Sequence, residues 1–347
     1  MDKRENACRL GTVGGQAVIE GVMMKNKERY SLAVRMPDGS IRVHNDRFVS
    51  VRTKHKWLNL PLVRGVVNFV EMMRLSFKTL SISADAYATE EDEKGESHGL
   101  GDKAMALLMA ISTVLGLAIG VGLFFFLPTY ITKGIDYLAG GRLGIWGNVI
   151  EGVVKIAIFV GYLLSVSLMK DIRRTFEYHG AEHKTVFCYE AGEELTPERV
   201  RRFSRFHPRC GTSFLFVMLL LSIFISALPF MPTWENSLLR VCFKLCLLPL
   251  IVGLGYEFIF YAGKHNNLLV RVLSAPGLWM QRITTREPDD DQIFIAICAL
   301  KSALPEVFPH IPELAEAVIL EEGVQVQPAP EETQDGSDAS ADSGAEA

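Results

Sequence analysis

The sequence predicts an α-helical integral membrane protein with about four transmembrane helices, a small N-terminal β-hairpin domain and further helices at the membrane interface. Two observations support this fold class. The 347-residue chain is 49% hydrophobic with a mean hydropathy of +0.19, and its apolar residues are concentrated in a few long runs. Soluble domains of this size are usually more polar, whereas a membrane-spanning helix needs about 20 predominantly apolar residues.

Charge is unevenly distributed along the chain. The net charge is −4, but residues 321–347 carry eight acidic residues and no lysine or arginine. Without this tail the chain has 36 basic and 32 acidic residues, and a mildly basic body suits contact with anionic lipid. We therefore expect membrane lipids as partners and no nucleic acid, while protein partners are not indicated. Six cysteines without a C-x-x-C pair do not resemble a disulfide framework.

Residues 1–56 are predicted to form a β-rich cytoplasmic region. Two alternating runs flank the Pro-Asp-Gly sequence at 37–39, which is a good hairpin signal because proline presets φ and glycine tolerates positive φ. Gly14, Gly15 and Gly21 suggest close backbone approach. A β-region of this size is too small to be stable alone, so we expect it to pack on the rest of the chain.

Residues 57–103 are predicted to form an interfacial helix followed by an acidic linker. The apolar stretch 57–82 also carries Arg64, Glu71, Arg74 and Lys78. Such charges are too costly for a lipid-facing span at mid-bilayer depth. The helix therefore lies in the membrane interface or is buried beneath the β-region, and the sequence leaves both alternatives open. The polar stretch 85–103 is expected to be flexible.

Residues 104–260 are predicted to form the membrane domain, with a cytoplasmic segment at 170–210. Each of its four apolar runs is close to the length needed to cross a bilayer. These runs are residues 104–127, 152–169, 211–230 and 241–260.

Lysine and arginine indicate the orientation of these spans. Seventeen of them precede the first span, nine lie in 170–209 and four in 261–286, whereas the two remaining loops have two and one. Because cytoplasmic loops are enriched in lysine and arginine, we expect a multi-pass protein of the plasma membrane with both termini in the cytoplasm.

The C-terminal part is predicted to be an amphipathic cytoplasmic region, 261–320, followed by a disordered acidic tail, 321–347. Leu278 and Trp279 suggest contact with the membrane interface. Acidic residues 289–291 precede a predicted helix and are well placed to cap its positive end.

Two histidines four positions apart are the first candidate metal ligands. His179 and His183 share one face if this stretch is helical, and that spacing lets two imidazoles bind one metal ion. Glu182 lies beside them as a candidate catalytic base. The string also fits the H-x-x-E-H pattern of inverted zincins, with Glu257 as a possible third ligand. This pattern is short, and Gly180 weakens the helix.

His207 and Cys210 form a second candidate pair on a turn that Pro208 fixes. Together the pairs give a His₃Cys set, which suits zinc among the divalent transition metals. A site closed by four protein ligands would be structural, whereas three ligands and an open position would be catalytic. His265 is a further candidate ligand. Hydrogen-bonded packing histidines are the alternative to a metal site.

Several unusual strings carry a resemblance to a known family. They are GGQAVIEGVMM (14–24), PLVRGV (61–66), YHGAEHK (178–184), HPRCGTSF (207–214) and PGLWMQRITTREPDDDQ (276–292). On these strings the chain, from residue 12 to about residue 304, resembles the YqhQ family of uncharacterised bacterial membrane proteins, described as predicted metal-dependent enzymes. The resemblance implies His179, Glu182, His183, His207 and Cys210 as the metal or active-site set. It adds Glu20 as a further candidate.

Three functions remain open from the sequence. The first is a metal-dependent hydrolase at the cytoplasmic membrane face, with Glu182 as general base. The second is a non-enzymatic membrane scaffold held by a structural zinc. The third is a transporter, which is disfavoured because Lys155, Lys244 and Glu257 all lie near the ends of the predicted spans. The sequence does not decide whether the protein is an enzyme.

Overall fold

The chain folds into a five-stranded sheet and a set of helices, seen in a computed structural model that describes residues 11–27, 29–94, 102–144, 146–226, 228, 236–262, 265, 267–309, 311 and 318–320. The strands are β1 (Val13–Val18), β2 (Gly21–Asn26), β3 (Arg29–Arg35), β4 (Ile41–Arg47) and β5 (Val318–Leu320). The helices are α1 (Val63–Lys94), α2 (Asp102–Val121), α3 (Leu127–Leu138), α4 (Trp146–Val166), α5 (Lys170–Ala191), α6 (Pro197–Val200), α7 (Gly211–Ser226), α8 (Ser237–Cys246), α9 (Leu248–Ala262), α10 (Leu268–Thr284) and α11 (Asp290–Ala303). Short 3₁₀ turns precede α1, and a π-helical turn, Gly122–Phe126, joins α2 to α3.

The sheet has the strand order β1-β2-β3-β4-β5. The first four strands pair antiparallel, and β5 adds in parallel to β4 with Ile41 opposite Val318. The turn between β3 and β4 is the predicted hairpin turn: Gly39 has a φ of 86°, and the carboxylate of Asp38 accepts a hydrogen bond of 2.8 Å from the N–H of Ser40. This part of the predicted N-terminal β-region is confirmed.

Helices cover both faces of the sheet. On one face, β2 and β3 pack with α5 and α11 in a single apolar core, to which α11 contributes fully buried side chains such as Ile293 and Ile297. On the other face, Leu75 and Ala86 of α1 pack against residues of the first three strands. The small sheet is therefore stabilised by packing on later parts of the chain, as its size predicts.

Helix α11 begins with a capping box. The carboxylate of Asp289 accepts the N–H of Gln292 at 2.7 Å, and the Gln292 side chain accepts the N–H of Asp289 at 3.0 Å. The predicted cap is confirmed. The helix itself is a core element, whereas the sequence predicts an amphipathic segment. Trp279 on α10 is 53% exposed, which fits the interfacial contact expected of it.

Helix α1 is buried against the sheet on one side and exposed on the other. Leu75 is buried against the sheet, while Val70 and Phe77 are exposed. The helix continues to Lys94, into the predicted acidic linker, and the rest of that linker up to residue 101 lies outside the described residues. The predicted disordered tail, 321–347, also lies outside them.

Among the residues that the structure describes, two helical stretches are long and apolar enough to cross a membrane. They are Ala110–Leu138, with 29 residues, and Trp146–Val166, with 21 residues. Helices α8 and α9 pass the same test together but are bent by 43° at their junction. The apolar part of α7 is shorter, and the predicted third span includes residues that the structure does not describe. Two of the four predicted spans thus correspond to full-length apolar helices.

Candidate metal centre

Helix α5 carries the first pair of candidate ligands on one face. It begins after Met169, and it ends at Gly192, which adopts the left-handed conformation with a φ of 75°. The rings of His179 and His183 lie one turn apart with centroids 4.4 Å from each other. The helical spacing therefore brings both imidazoles to one place, as predicted.

Cys210 completes a three-residue cluster. The Sγ atom of Cys210 lies 3.1 Å from Nε2 of His179. One ligand atom from each of His179, His183 and Cys210 can be chosen so that all three lie within 4.8 Å of one another. Bonds of about 2.0–2.3 Å from one metal ion to nitrogen and sulfur require ligand atoms at such separations.

Backbone carbonyls fix the tautomer of both histidines. Nδ1 of His179 lies 2.8 Å from the carbonyl oxygen of Thr284, and Nδ1 of His183 lies 2.5 Å from that of Arg205. A carbonyl only accepts hydrogen bonds, so each Nδ1 carries the proton and each Nε2 presents a lone pair. This is how metal-binding histidines are usually oriented.

His183 is prepared for a ligand in two further ways. Its Nε2 is buried and has no hydrogen-bond partner in the described part of the chain. Burial, and next the neighbouring His179, lower the pKa of His183, which favours the neutral imidazole that binds metals. The orphaned nitrogen and the Cys210 sulfur are a donor set that fits a divalent transition metal such as zinc.

His207 stands beside this cluster rather than within it. Its ring centroid is 5.5 Å from that of His183, but its Nδ1 accepts the N–H of Arg209 and its Nε2 lies 3.8 Å from a carboxylate oxygen of Glu190. The structure thus brings three of the four predicted ligands together. The fourth, His207, lies beside the buried carboxylate of Glu190.

Glu190 is a residue that the sequence analysis missed. Burial alone would raise the pKa of Glu190, but the His207 ring, the N–H of Gly11 and the Arg209 guanidinium outweigh it and hold this pKa below its ordinary value. The carboxylate ties the turn that carries Cys210 to the end of α5. Its position on α5, two turns after His183, is the only sequence signal for it.

Glu182 is buried between α5 and strand β1. A Cβ on Gly15 would lie 2.9 Å from Cγ of Glu182, so the glycine allows the strand to approach the acid closely. Burial raises the pKa of Glu182 to about 7, against opposing effects of His179 and the N–H of Gly15. Glu182 also lines a cavity of about 510 Å³ together with the three clustered ligands.

Gln281 is a second residue that the sequence analysis missed. Its side-chain oxygen accepts the N–H of His207 and its side-chain nitrogen donates to the His207 carbonyl, both at 2.7 Å. Gln281 and Thr284 belong to the PGLWMQRITTREPDDDQ string, which was the available signal for them. Residues of this string therefore hold the ring of His179, through the Thr284 carbonyl, and the backbone of His207, through Gln281.

The remaining candidates lie elsewhere. Glu20 binds the Arg174 guanidinium and accepts a hydrogen bond of 3.1 Å from Tyr178, which anchors the β1–β2 turn to α5. Glu257 pairs with Arg64 at 2.5 Å, so it is not a ligand of this cluster. His265 is exposed and stacks on Tyr261, with ring centroids 4.1 Å apart.

Comparisons with known proteins agree on one family. Residues 60–306 match the family described as "Protein of unknown function (DUF1385)". The "Uncharacterized protein YqhQ" of Bacillus subtilis (strain 168) is 34% identical over 302 residues, which cover 82% of this chain and 89% of that protein. No solved structure gives a significant match.

Proposed function

The chain belongs to the DUF1385 family, and we propose that it is a multi-pass membrane protein with a divalent-metal site at its cytoplasmic face, where it acts as a metal-dependent hydrolase. The family name describes no activity, so the proposal depends on the site. The observation that carries it is the convergence of His179, His183 and Cys210, each of which offers one ligand atom within 4.8 Å of the other two.

Three protein ligands are typical of catalytic rather than structural zinc sites. His179, His183 and Cys210 would hold the ion, and a divalent metal there would supply Lewis acidity. Glu182 lines the same cavity and would accept the proton of the attacking water at its carboxylate. Apolar side chains, including Phe214 and Val186, line the same cavity.

The metal content of purified protein tests the proposal. We expect wild-type protein, purified without chelator, to carry about one zinc or similar ion per chain. His183→Ala should lose this metal because one of three ligands is gone, and His265→Ala should keep it because His265 is exposed and distant from the cluster. Absence of stoichiometric metal from the wild type, or an unchanged content in His183→Ala, would refute the metal site.

A structural zinc is the second candidate, and His207 favours it. Its ring centroid lies 5.5 Å from that of His183, so a ring rotation that frees Nδ1 from the N–H of Arg209 would offer the lone pair of Nδ1 as a fourth ligand. This scaffold alternative predicts that His207→Ala loses metal and that Glu182→Gln is silent in cells. The hydrolase predicts the opposite: His207→Ala keeps its metal, and Glu182→Gln keeps metal and expression but loses the cellular function.

The proposed location is the plasma membrane, with four spans and both termini in the cytoplasm. The distribution of lysine and arginine supports this orientation. The packing of the sheet, α5 and α11 in one core also supports it, because these three parts then lie on the same side of the bilayer.

A further inference from the structure

A layer of buried charge lies among the apolar helices, away from the candidate metal centre. Glu151 and Lys155 on α4 and Arg240 and Lys244 on α8 each have 6% or less of their surface exposed. Within this layer of the described chain, one carboxylate therefore faces three cationic side chains. Buried charge is costly unless it is paired, so each of these cations needs an acceptor.

The single carboxylate is already fully engaged. One oxygen of Glu151 accepts hydrogen bonds from the Lys244 ammonium and, at 2.9 Å, from Thr129. The other oxygen accepts the Arg240 guanidinium at 3.2 Å. Glu151 thus neutralises one cation and hydrogen-bonds both Arg240 and Lys244, which leaves Lys155 outside the pairing.

Lys155 has no hydrogen bond or ion pair with any residue that the structure describes. Its Nζ lies 5.4 Å from the centroid of the Phe125 ring, and Glu151, one turn earlier on α4, attracts its charge without bonding to it. A cation–π contact contributes less than a buried ion pair and does not cancel the charge. The Lys155 ammonium group therefore lacks a direct acceptor among the described residues.

The Lys155 side chain lines a second cavity, of about 420 Å³. The walls come from α1, the π-helical turn, α4, α7, α8 and α9, and they are almost entirely apolar apart from Lys155, Lys244, Ser222 and Ser226. Phe124, Phe125 and Phe159 supply much of the aromatic surface beside Lys155. Ligand sites are typically apolar cavities of this size with a few polar groups that fix orientation.

We propose that this cavity binds a single-chain anionic amphiphile, with the carboxylate of a long-chain fatty acid paired to Lys155 and the acyl chain among the apolar walls. The unpaired cation selects the anionic head, and the aromatic and aliphatic lining selects the chain. None of the metal ligands lines this cavity, so the proposal does not depend on the proposed hydrolase activity.

Competition binding to delipidated full-length protein in detergent tests the proposal without any variant. The probe is the fluorescent fatty acid cis-parinaric acid, displaced by palmitate or by 1-hexadecanol, which has the same chain length and no charge. We expect palmitate to displace the probe at a concentration at least about tenfold lower, because a buried ion pair is lost with the alcohol. Equal potency of the two, or displacement by phosphatidylglycerol but not by palmitate, would overturn the proposal.

Variants then assign the head-group contact. Lys155→Met should weaken palmitate binding at least about tenfold and abolish the advantage over hexadecanol, whereas Lys155→Arg should retain the advantage. Lys133→Met removes an exposed lysine of α3 and serves as the matched control, with unchanged binding expected. Ser222→Phe fills the cavity without changing charge and should weaken palmitate and hexadecanol alike. Palmitate binding that is unchanged in a folded Lys155→Met protein would contradict the assignment.

Discussion

Two backbone carbonyls determine which nitrogen of each clustered histidine is free. The carbonyl oxygens of Thr284 and Arg205 accept hydrogen bonds from the Nδ1–H groups of His179 and His183, which leaves a lone pair on each Nε2. Groups that orient metal ligands in this way commonly change metal affinity by about 10–100-fold when they are removed. Removal of a hydrogen bond that supports the centre should therefore lower metal affinity measurably, as removal of a ligand should.

Gln281 offers the sharpest test at the scale of single residues. Gln281→Met keeps the size of the side chain but removes both hydrogen bonds to the His207 backbone, so the turn that carries Cys210 should shift. We predict that zinc affinity, measured by competition with a chromophoric chelator, falls about 10–100-fold.

Gln292→Met is the control for that experiment. Gln292 is equally buried and forms the α11 capping box, but it does not contact the cluster. Gln292→Met should lower the free energy of unfolding by about 1 kcal/mol and leave zinc affinity unchanged. If both variants lose affinity to the same extent, Gln281 has no specific role at the centre.

The sequence predicts part of the centre at this scale. The spacing of His179 and His183 on a helix is a local property, and so their shared face follows from sequence alone. The orientation of His207 does not follow, because it depends on Glu190 and Gln281, which reach it from other elements. Glu257 illustrates the same limit: its partner is Arg64, 193 positions away.

At the scale of elements, Gly180 lets the segment after α10 lie directly on α5. A Cβ at this position would collide with the carbonyl oxygen of Arg286, whose N–H donates to Phe176 at 2.8 Å. Thr284, whose carbonyl binds His179, is the last residue of α10 and directly precedes that segment. A glycine that weakens the helix by itself is thus required for packing between two elements.

The direction in which a substitution of Gly180 changes stability can be predicted. Gly180→Ala should lower the free energy of unfolding, because overpacking costs about 1–3 kcal/mol and exceeds the gain of about 1 kcal/mol in helix propensity. Gly161→Ala on α4 meets no atom within 4 Å and should be neutral or slightly stabilising. Thermal unfolding of the two variants in the same detergent makes the comparison. A melting temperature for Gly180→Ala at or above that of Gly161→Ala would contradict the packing argument.

The cap of helix α11 could be predicted from local sequence, but its burial could not. Its acidic cap is a local signal, and the capping box is found where it was expected. Its burial is not local, since α5 covers one side and strands β2 and β3 cover the other. A short apolar helix looks the same in sequence whether it lies on a membrane or inside a protein core.

At the scale of the whole molecule, packing restricts how many times the proposed membrane protein could cross the bilayer. The sheet, α5 and α11 share one core, so an even number of crossings must separate each of them from the next. Helices α7 and the bent α8–α9 pair therefore both cross or both remain on one side. Sixteen residues of α7 extend about 24 Å, somewhat less than the roughly 30 Å of hydrocarbon.

Epitope insertion distinguishes these two arrangements. A tag after Arg142 should be accessible to antibody from outside intact spheroplasts, and a tag after Asp38 should become accessible only after permeabilisation. A tag after Leu228 should behave like the tag after Arg142 if four spans are present. Accessibility at Arg142 combined with protection at Leu228 would reduce the protein to two spans and leave α7 to α9 on the inner face.

The core that joins strands near the N-terminus to α11 also has a consequence for biosynthesis. Residues 13–47 leave the ribosome early, but the helix that covers them, Asp290–Ala303, is made only after every apolar segment has been translated. If the apolar helices insert into a membrane as proposed, the nascent sheet keeps an apolar face uncovered during their insertion, a state prone to aggregation. A ribosome that stalls before residue 290 would leave a product whose sheet has no cover, and quality-control proteases would be expected to degrade it.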